Sequence, residues 1–244
     1  MRRIPRATLP KAAETYLDQR QSRANTKNKN GALNIESDWK AARQTKSLKT
    51  VVATLQAMMG PRARCMYCMD SHGADVEHFR PKTAYPQHMY RWPNLLLCCT
   101  ECGRLKGNQF PTRGPRVLLI DPTREDPWKY LDFDPDTGNI CARFDVPLND
   151  WAVKGVHTVA VLKLDQREAL SAGYLQTLRR LTAVVQAALG GGVIEATLLI
   201  STLQDADDHG LLGWCLSDRG QVIPAFRDLR HQYPVVWRQC RGAI

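Results

Sequence analysis

Long apolar runs are absent from this chain of 244 residues. The longest ones, such as residues 95–99 and 198–200, are far shorter than the roughly 20 residues that a helix needs to cross a bilayer. The charged start Met1-Arg2-Arg3 is not followed by the apolar core of a signal peptide or of an export signal. We therefore expect a cytoplasmic protein with no membrane partner.

Compositional bias is also absent. Hydrophobic residues make up 43% and charged residues 24% of the chain, close to the averages of globular proteins. These values exclude global disorder, a collagen-like repeat and a fibrous class, and the sequence contains no internal repeat. The length suits one large domain or two small ones.

Acidic residues are scarce only in the first quarter of the chain. Residues 1–64 hold 14 Lys and Arg against 4 Asp and Glu, whereas residues 65–244 hold 20 of each kind. The whole formal charge of +10 therefore lies in the first quarter. Such a segment attracts a polyanion, most simply nucleic acid, through counterion release. A charged face that serves only solubility is the other interpretation.

Cysteine, in contrast, is plentiful. The chain has eight cysteines, many for a reducing compartment in which a disulfide framework is not expected. Cys65 and Cys68 form one C-x-x-C pair, and Cys99 and Cys102 form a second. Two such pairs place four thiolates around a tetrahedral zinc ion, so we predict structural Zn²⁺. The neighbouring Cys98 is an alternative to Cys99, although the C-x-x-C spacing favours Cys99.

A chemically useful pair lies between the two cysteine pairs. Residues 75–79 alternate like a short strand, which places Glu77 and His78 side by side. A neutral imidazole takes a proton from water near pH 7, and a carboxylate with an amide oxygen holds one hard divalent ion. Together these groups are sufficient to hydrolyse a phosphodiester. A structural histidine, or a zinc ligand in place of a cysteine, is the alternative for His78.

The order of these motifs resembles the HNH endonucleases, which have a ββα-metal core. The branch with the closer resemblance is the PtuB group of Septu-type anti-phage defence nucleases, also found in retron-linked systems. The motifs "VEHFRPK", "WPNLLLCCTECGRLKGNQFP" and "LLIDPTREDPWKYLDFDPDTGNI" carry this resemblance, which runs over residues 65–140.

The resemblance implies a role for each motif residue. His78 is the general base that activates water, Glu77 is the acidic ligand of a catalytic Mg²⁺ or Mn²⁺, and Asn94 orders the loop that carries the histidine. Many relatives have a second metal ligand directly after the last cysteine, where this chain has Gly103. Asn108 or Asn94 is a candidate substitute for that ligand.

Basic residues near the motifs are candidates for substrate binding. Arg80 and Lys82 closely follow the histidine and could grip the scissile phosphate. Arg104 and Lys106 lie on the predicted helix after the second cysteine pair and could face the substrate backbone. A solvated surface is the alternative for all four.

The remaining pattern predicts the domain organisation. Helices are expected over residues 9–21, 38–59, 100–106 and 193–204, with one or two more over about 150–189. The polar stretch "SRANTKNKNGALN" predicts a loop, "RVLLIDP" a strand and "LDFDPDTGNICARF" a hairpin. We assign residues 1–60 to a basic helical region, 61–145 to a nuclease core and 146–244 to a helical region that presents a partner surface.

These observations predict an α+β protein with a small zinc-bound ββα-metal core between basic N-terminal helices and a helical C-terminal region. The expected function is metal-dependent hydrolysis of phosphodiester bonds in nucleic acid, DNA by default and tRNA or another RNA as the alternative. The resemblance implies a role in defence together with a co-encoded PtuA-like ATPase. The competing hypothesis is a zinc module that binds nucleic acid or protein without cutting. A redox role of the C-x-x-C pairs is disfavoured because no thioredoxin-like βαβ pattern follows them.

Overall fold

A computed structural model describes all residues, 1–244. The chain forms two compact units, Arg3–Glu125 and a second one made of Met1–Arg2 with Asp126–Ile244. We call them the N-terminal and the C-terminal unit. The structure is a mostly helical α+β arrangement with four two-stranded hairpins, all antiparallel. The predicted α+β class is therefore confirmed.

The helices and strands have the following bounds. The α-helices are α1 (Lys11–Lys29), α2 (Ile35–Arg43), α3 (Lys46–Met58), α4 (Thr100–Lys106), α5 (Val153–Leu162), α6 (Glu168–Gly190), α7 (Ala196–Ala206), α8 (Leu212–Cys215), α9 (Pro224–Gln232) and α10 (Pro234–Gly242). The strands are β1 (Asp75–His78), β2 (Leu95–Cys98), β3 (Thr112–Arg113), β4 (Arg116–Val117), β5 (Leu131–Phe133), β6 (Ile140–Ala142), β7 (Phe144–Asp145) and β8 (Asp150–Trp151).

Helix α1 is longer than the sequence pattern predicts. It continues to Lys29 through most of the polar stretch that was expected to be a loop. That stretch contains no proline, and its first glycine, Gly31, has a φ of 66° just beyond the helix. Local polarity therefore did not end the helix, and the tertiary contacts of its inner face account for its length.

The single helix predicted over residues 38–59 is two helices in the structure. Thr45 separates α2 from α3 and begins α3, because its hydroxyl accepts a hydrogen bond from the Leu48 N–H at 3.3 Å. This N-cap gives the chain a local reason to start a new helix. The buried side chains of α3 are Leu48, Val51 and Leu55.

Strands β1 and β2 and helix α4 follow one another in the order ββα. The hairpin pairs Glu77 with Leu96 and His78 with Leu95, and every residue of β2 is buried. Helix α4 has the predicted bounds, Thr100–Lys106, and Cys99 is its N-cap, whose sulfur accepts a hydrogen bond from the Cys102 N–H at 3.4 Å. Strand β1 is thus paired along its length with a buried strand, and its last residue is contacted by the last residue of α4, because the Lys106 ammonium donates to the His78 carbonyl at 2.9 Å.

A long loop connects β1 to β2, and α1 fastens it. The buried Gln21 amide donates to the Pro86 carbonyl at 2.9 Å, and its oxygen accepts from the Tyr90 N–H at 2.7 Å. The extended N-terminal segment adds a second attachment, because Arg6 donates to the carbonyls of Trp92 and Leu95 at 2.9 and 3.0 Å. The loop is therefore anchored through its main chain.

The C-terminal unit has its own core. Phe133 packs edge-on against Trp214 with 5.1 Å between ring centroids, and Tyr174 is fully buried beside Phe133. The predicted hairpin is confirmed as β5–β6, and the helix expected over 193–204 is α7. In the N-terminal unit, the strand expected in "RVLLIDP" is limited to the two residues of β4. None of the helices is long and apolar enough to span a membrane.

We predict that Gln21→Leu lowers the free energy of unfolding of the N-terminal unit by about 2–3 kcal/mol. The substitution keeps the side-chain volume but leaves the Pro86 carbonyl and the buried Tyr90 N–H without their partner. Urea denaturation followed by circular dichroism measures the change. Gln19→Leu on the exposed side of α1 is the matched control, with an expected change below about 0.5 kcal/mol. Equal effects of the two variants would contradict the anchoring role.

Candidate functional site

Four buried sulfurs form a cluster in the N-terminal unit. All four Sγ atoms lie within 4.8 Å of one another, and those of Cys68 and Cys99 are 3.9 Å apart. Zn–S bonds of about 2.3 Å in a tetrahedron place sulfurs about 3.8 Å from each other. The cluster is therefore compatible with structural Zn²⁺. Its members are Cys65, Cys68, Cys99 and Cys102.

The four buried thiols shift one another's pKa values in opposite directions. Burial raises the pKa of Cys65, whereas hydrogen bonds with the thiols of Cys102 and Cys65 lower the pKa of Cys68 below its usual range. Hydrogen bonds with the same two thiols lower the pKa of Cys99 to about 7. The thiols share protons in a buried space, and a zinc ion would replace those protons and neutralise the thiolates.

Cys98 lies outside this cluster, and its sulfur limits the space for a side chain at position 103. It is the last residue of β2 and is buried, and the burial raises its pKa. A Cβ atom at Gly103 would lie 3.2 Å from the Cys98 sulfur, closer than an ordinary contact. The cluster thus contains Cys99 and not Cys98, and a bulkier residue at position 103 would press against Cys98.

His78 is buried and oriented at the end of β1. Its Nε2 lies 3.0 Å from the Met89 carbonyl oxygen, and its ring packs edge-on against Trp39 with centroids 4.4 Å apart. Because a carbonyl only accepts, Nε2 carries the proton and Nδ1 keeps the lone pair. Burial, followed by the positive charge of Lys82, lowers the pKa of His78 to about 3. The imidazole is therefore neutral at physiological pH and has a defined tautomer.

Glu77 forms a buried ion pair with Lys106. The Lys106 Nζ lies 2.5 Å from the Glu77 carboxylate, and the two side chains are 1% and 13% exposed. The same ammonium donates to the His78 carbonyl at 2.9 Å. Burial raises the pKa of Glu77, and the positive charge of Lys106 opposes this effect. Lys106, expected on a substrate-facing surface, is instead fully buried.

Asn94 holds the two ends of one loop segment. Its amide nitrogen donates to the Arg80 and His88 carbonyls at 3.1 and 3.0 Å, and its oxygen accepts from the Arg80 N–H at 2.8 Å. His88 directly precedes Met89, whose carbonyl orients His78. These bonds agree with the loop-ordering role that the family resemblance implies.

The other predicted substrate-binding residues lie at or near the surface. Arg80 stacks over the rings of Tyr85 and Phe110, with 5.5 and 5.2 Å to their centroids. The ammonium of Lys82 pairs with the Glu36 carboxylate at 2.8 Å. Arg104 is exposed on α4. Arg80, Lys82 and Arg104 thus remain accessible candidates for contact with a polyanion.

Each predicted ligand of a catalytic divalent ion is engaged by another group of the protein. One oxygen of Glu77 is bonded to the Lys106 ammonium. The amide oxygen of Asn94 accepts from a main-chain N–H, and that of the exposed Asn108 accepts from a threonine hydroxyl at 3.0 Å. Gly103 offers no side-chain ligand. The donors as placed therefore do not fit a protein-held Mg²⁺ or Mn²⁺.

Several residues at the site carried no recognisable sequence signal. Trp39 belongs to the apolar face of a predicted helix, and nothing in that pattern indicates its contact with His78. Met89 contributes only its main-chain carbonyl, which every residue possesses. Gln21 looks like any polar helical residue, although it is 1% exposed. Such contacts are visible only in the tertiary structure.

Comparison with known proteins adds an independent observation. Over 112 residues, 44% of this chain, the sequence is 32% identical to the Septu protein PtuB of Bacillus thuringiensis, and the match covers 38% of that protein. The chain is similar to PtuB. A second PtuB, from Bacillus mycoides, is 31% identical over 136 residues, which cover 44% of its length. The chain thus matches less than half the length of either PtuB relative.

The similarity also extends to a second Septu protein. A PtuA protein from Bacillus mycoides is 28% identical over 134 residues, 42% of this chain, but the match covers only 18% of that protein. No family model matches the chain. The comparisons therefore support a distant relationship to Septu proteins such as PtuB.

We predict that Cys99→Ser abolishes binding of one zinc ion per chain, whereas Cys98→Ala retains it. The sulfur of Cys99 belongs to the cluster, and that of Cys98 does not. Atomic emission spectrometry of the purified variants measures zinc per chain. Loss of zinc in Cys98→Ala with retention in Cys99→Ser would reverse the ligand assignment.

Proposed function

We propose that this chain is an HNH-type nuclease that hydrolyses phosphodiester bonds of nucleic acid and acts as a component of a Septu-like anti-phage defence system. The observation that carries the proposal is the neutral His78, oriented through Nε2 by the Met89 carbonyl at the end of β1. The ββα order beside a four-cysteine cluster supports it, as does the similarity to PtuB.

In the proposed step, Nδ1 of His78 takes a proton from a water molecule. The water oxygen forms a bond to phosphorus, the bond from phosphorus to the 3′ oxygen breaks, and the departing oxygen takes a proton from solvent. The products are a 3′ hydroxyl and a 5′ phosphate. Zinc in the cysteine cluster would be structural, because it would hold the segment before β1 and the start of α4 together.

The resemblance also implies Mg²⁺ or Mn²⁺ as a catalytic ion, with Glu77 and Asn108 or Asn94 as ligands. Because the donors as placed do not fit such an ion, the divalent-ion requirement stays a prediction that the assay measures. Glu77 has a second carboxylate oxygen besides the one that contacts Lys106.

Charge supports nucleic acid as the substrate class. The excess of basic residues in the first quarter of the chain includes Lys11, Arg23 and Lys27, all exposed on α1. Arg80, Lys82 and Arg104 add positive charge around the candidate site. Phosphate contacts of this kind carry affinity without sequence preference. Double-stranded DNA is the default substrate of the proposal, and tRNA or another RNA is the alternative.

The proposed organisation follows the same reasoning. Residues 1–60 form the basic region, 61–145 the nuclease core and 146–244 a partner surface. The similarity to PtuB and PtuA supports a co-encoded PtuA-like ATPase as that partner.

A second function is favoured by one specific observation. Gly103 provides no metal ligand, and the Glu77 carboxylate is engaged by Lys106. The cysteine cluster and the ββα segment are thus present, but the ligands of a catalytic metal ion are incomplete. In this case the chain is a zinc module that binds nucleic acid or a protein without cutting.

We predict that wild-type protein cleaves supercoiled plasmid or total tRNA and that His78→Ala lowers the rate by about 100- to 10,000-fold. The loss follows from removal of the group that takes the proton from water. Gel assays with Mg²⁺, with Mn²⁺ and with EDTA, each with and without the ATPase, measure the rate and the ion dependence. His231→Ala, an exposed histidine of α9, is the matched control and is expected to cut like wild type.

The substrate that disappears identifies the target. Equal cleavage by wild type and a folded, zinc-loaded His78→Ala variant would contradict the assignment of the base. Binding of nucleic acid without cleavage by either protein, under every condition, would favour the zinc module.

A further inference from the structure

Lys106 is the most unusual charged residue of the N-terminal unit. It is 0% exposed, although lysine is almost never fully buried without a partner. It follows Cys102 by one helical turn on α4, so the same short helix carries a cluster sulfur and the ammonium. A fully buried ammonium cannot touch a bound phosphodiester. The substrate-binding role expected from the sequence therefore does not suit it.

The contacts of Lys106 point at the two candidate catalytic residues. Its Nζ contacts the Glu77 carboxylate at 2.5 Å and donates to the main-chain carbonyl of His78 at 2.9 Å. The Lys106 ammonium contacts the side chain of Glu77 and the backbone of His78. One charged group therefore holds both of the last two residues of β1. We propose that Lys106 is a positioning residue that ties the cysteine-anchored helix α4 to the Glu77–His78 pair.

This inference rests on the proposed function. It adds a chain of contacts that connects the cysteine cluster to the candidate base. The cysteine cluster fixes the start of α4, α4 fixes Lys106, and Lys106 fixes the carboxylate and the backbone of β1 at the candidate base. The imidazole is held separately on its other side by Met89 and Trp39. Displacement of Lys106 should therefore shift β1 against these two contacts and misalign Nδ1.

Electrostatics make the arrangement sensitive to the charge at position 106. Removing one partner of a buried ion pair leaves the other charge uncompensated, whereas removing both is tolerated far better. A neutral residue at position 106 would leave the largely buried Glu77 carboxylate without its counter-charge and force it to move or to take up a proton.

The experiment compares Lys106→Met, which keeps the apolar stem, with Lys106→Arg, which keeps the charge. Lys129→Met removes a lysine that is exposed in the C-terminal unit and is the control. We expect Lys106→Met to bind zinc and nucleic acid like wild type, to lose about 10- to 100-fold in kcat, and to keep KM within about three-fold. Lys106→Arg should recover part of kcat.

Each result has a distinct meaning. A wild-type kcat in folded Lys106→Met would overturn the positioning role while leaving the nuclease proposal intact, provided that His78→Ala is inactive. A raised KM with unchanged kcat would overturn it as well, because Lys106 would then act on substrate binding.

A second variant covers failure of Lys106→Met to fold. Glu77→Gln combined with Lys106→Met removes both buried charges and should restore folding. Because Glu77 is itself a proposed metal ligand, the double variant is compared with Glu77→Gln in structure and not in kcat. The His78 carbonyl, which loses its ammonium partner only in the double variant, should move only there, and an unchanged position would overturn the proposal.

A structural readout remains if wild-type protein does not cut, which would refute the nuclease proposal itself. Crystal structures of wild type and of Lys106→Met, or of the double variant, would then be compared at the end of β1. We expect the side chain of residue 77 and the His78 carbonyl to move by about 1 Å or more. Unchanged positions would overturn the positioning role independently of activity.

Discussion

The four-cysteine cluster is the constraint on which the candidate site depends. The β1–β2 hairpin has only four residues in each strand and would be marginal by itself in water. The cluster joins the turn before β1 to the start of the helix after β2, so the hairpin is held at the end opposite its long loop. A long loop between the strands is then tolerated, because its ends are already fixed and α1 and Asn94 hold its interior.

Burial shifts the pKa values of His78 and Glu77 in opposite directions, down for His78 and up for Glu77. His78 is kept neutral, because burial and nearby positive charge disfavour the imidazolium, and a single carbonyl selects its tautomer. Glu77 is largely buried, so water screens its carboxylate poorly. The buried Lys106 supplies the compensating positive charge. A neutral imidazole and a compensated carboxylate next to each other on one strand form an arrangement that is already organised in the free chain.

The two compact units differ in the side chains that they bring together. The N-terminal unit contains the four-cysteine cluster and the Glu77–His78 pair, and the recognisable similarity to Septu proteins covers less than half of the chain. The C-terminal unit has a separate aromatic core around Phe133, Tyr174 and Trp214 and carries no catalytic pattern. Only residues 146–244 of this unit carry the partner surface in the proposed function.

Spacing along the chain was sufficient to predict the α+β class, the four cluster cysteines, helix α4 and the strand that carries Glu77 and His78. These features depend on local periodicity and on the geometry of C-x-x-C turns. Spacing was insufficient where contacts with distant residues decide the length of a helix or the burial of a side chain. The length of α1 depends on contacts of Gln21 with a loop far along the chain, and Lys106 looks like a surface lysine until its partners are known. The sequence by itself thus determined which chemical groups are present and which are close neighbours along the chain. Only the tertiary structure decided which of them are buried, paired and oriented, because burial and pairing are properties of packed segments and not of any one segment.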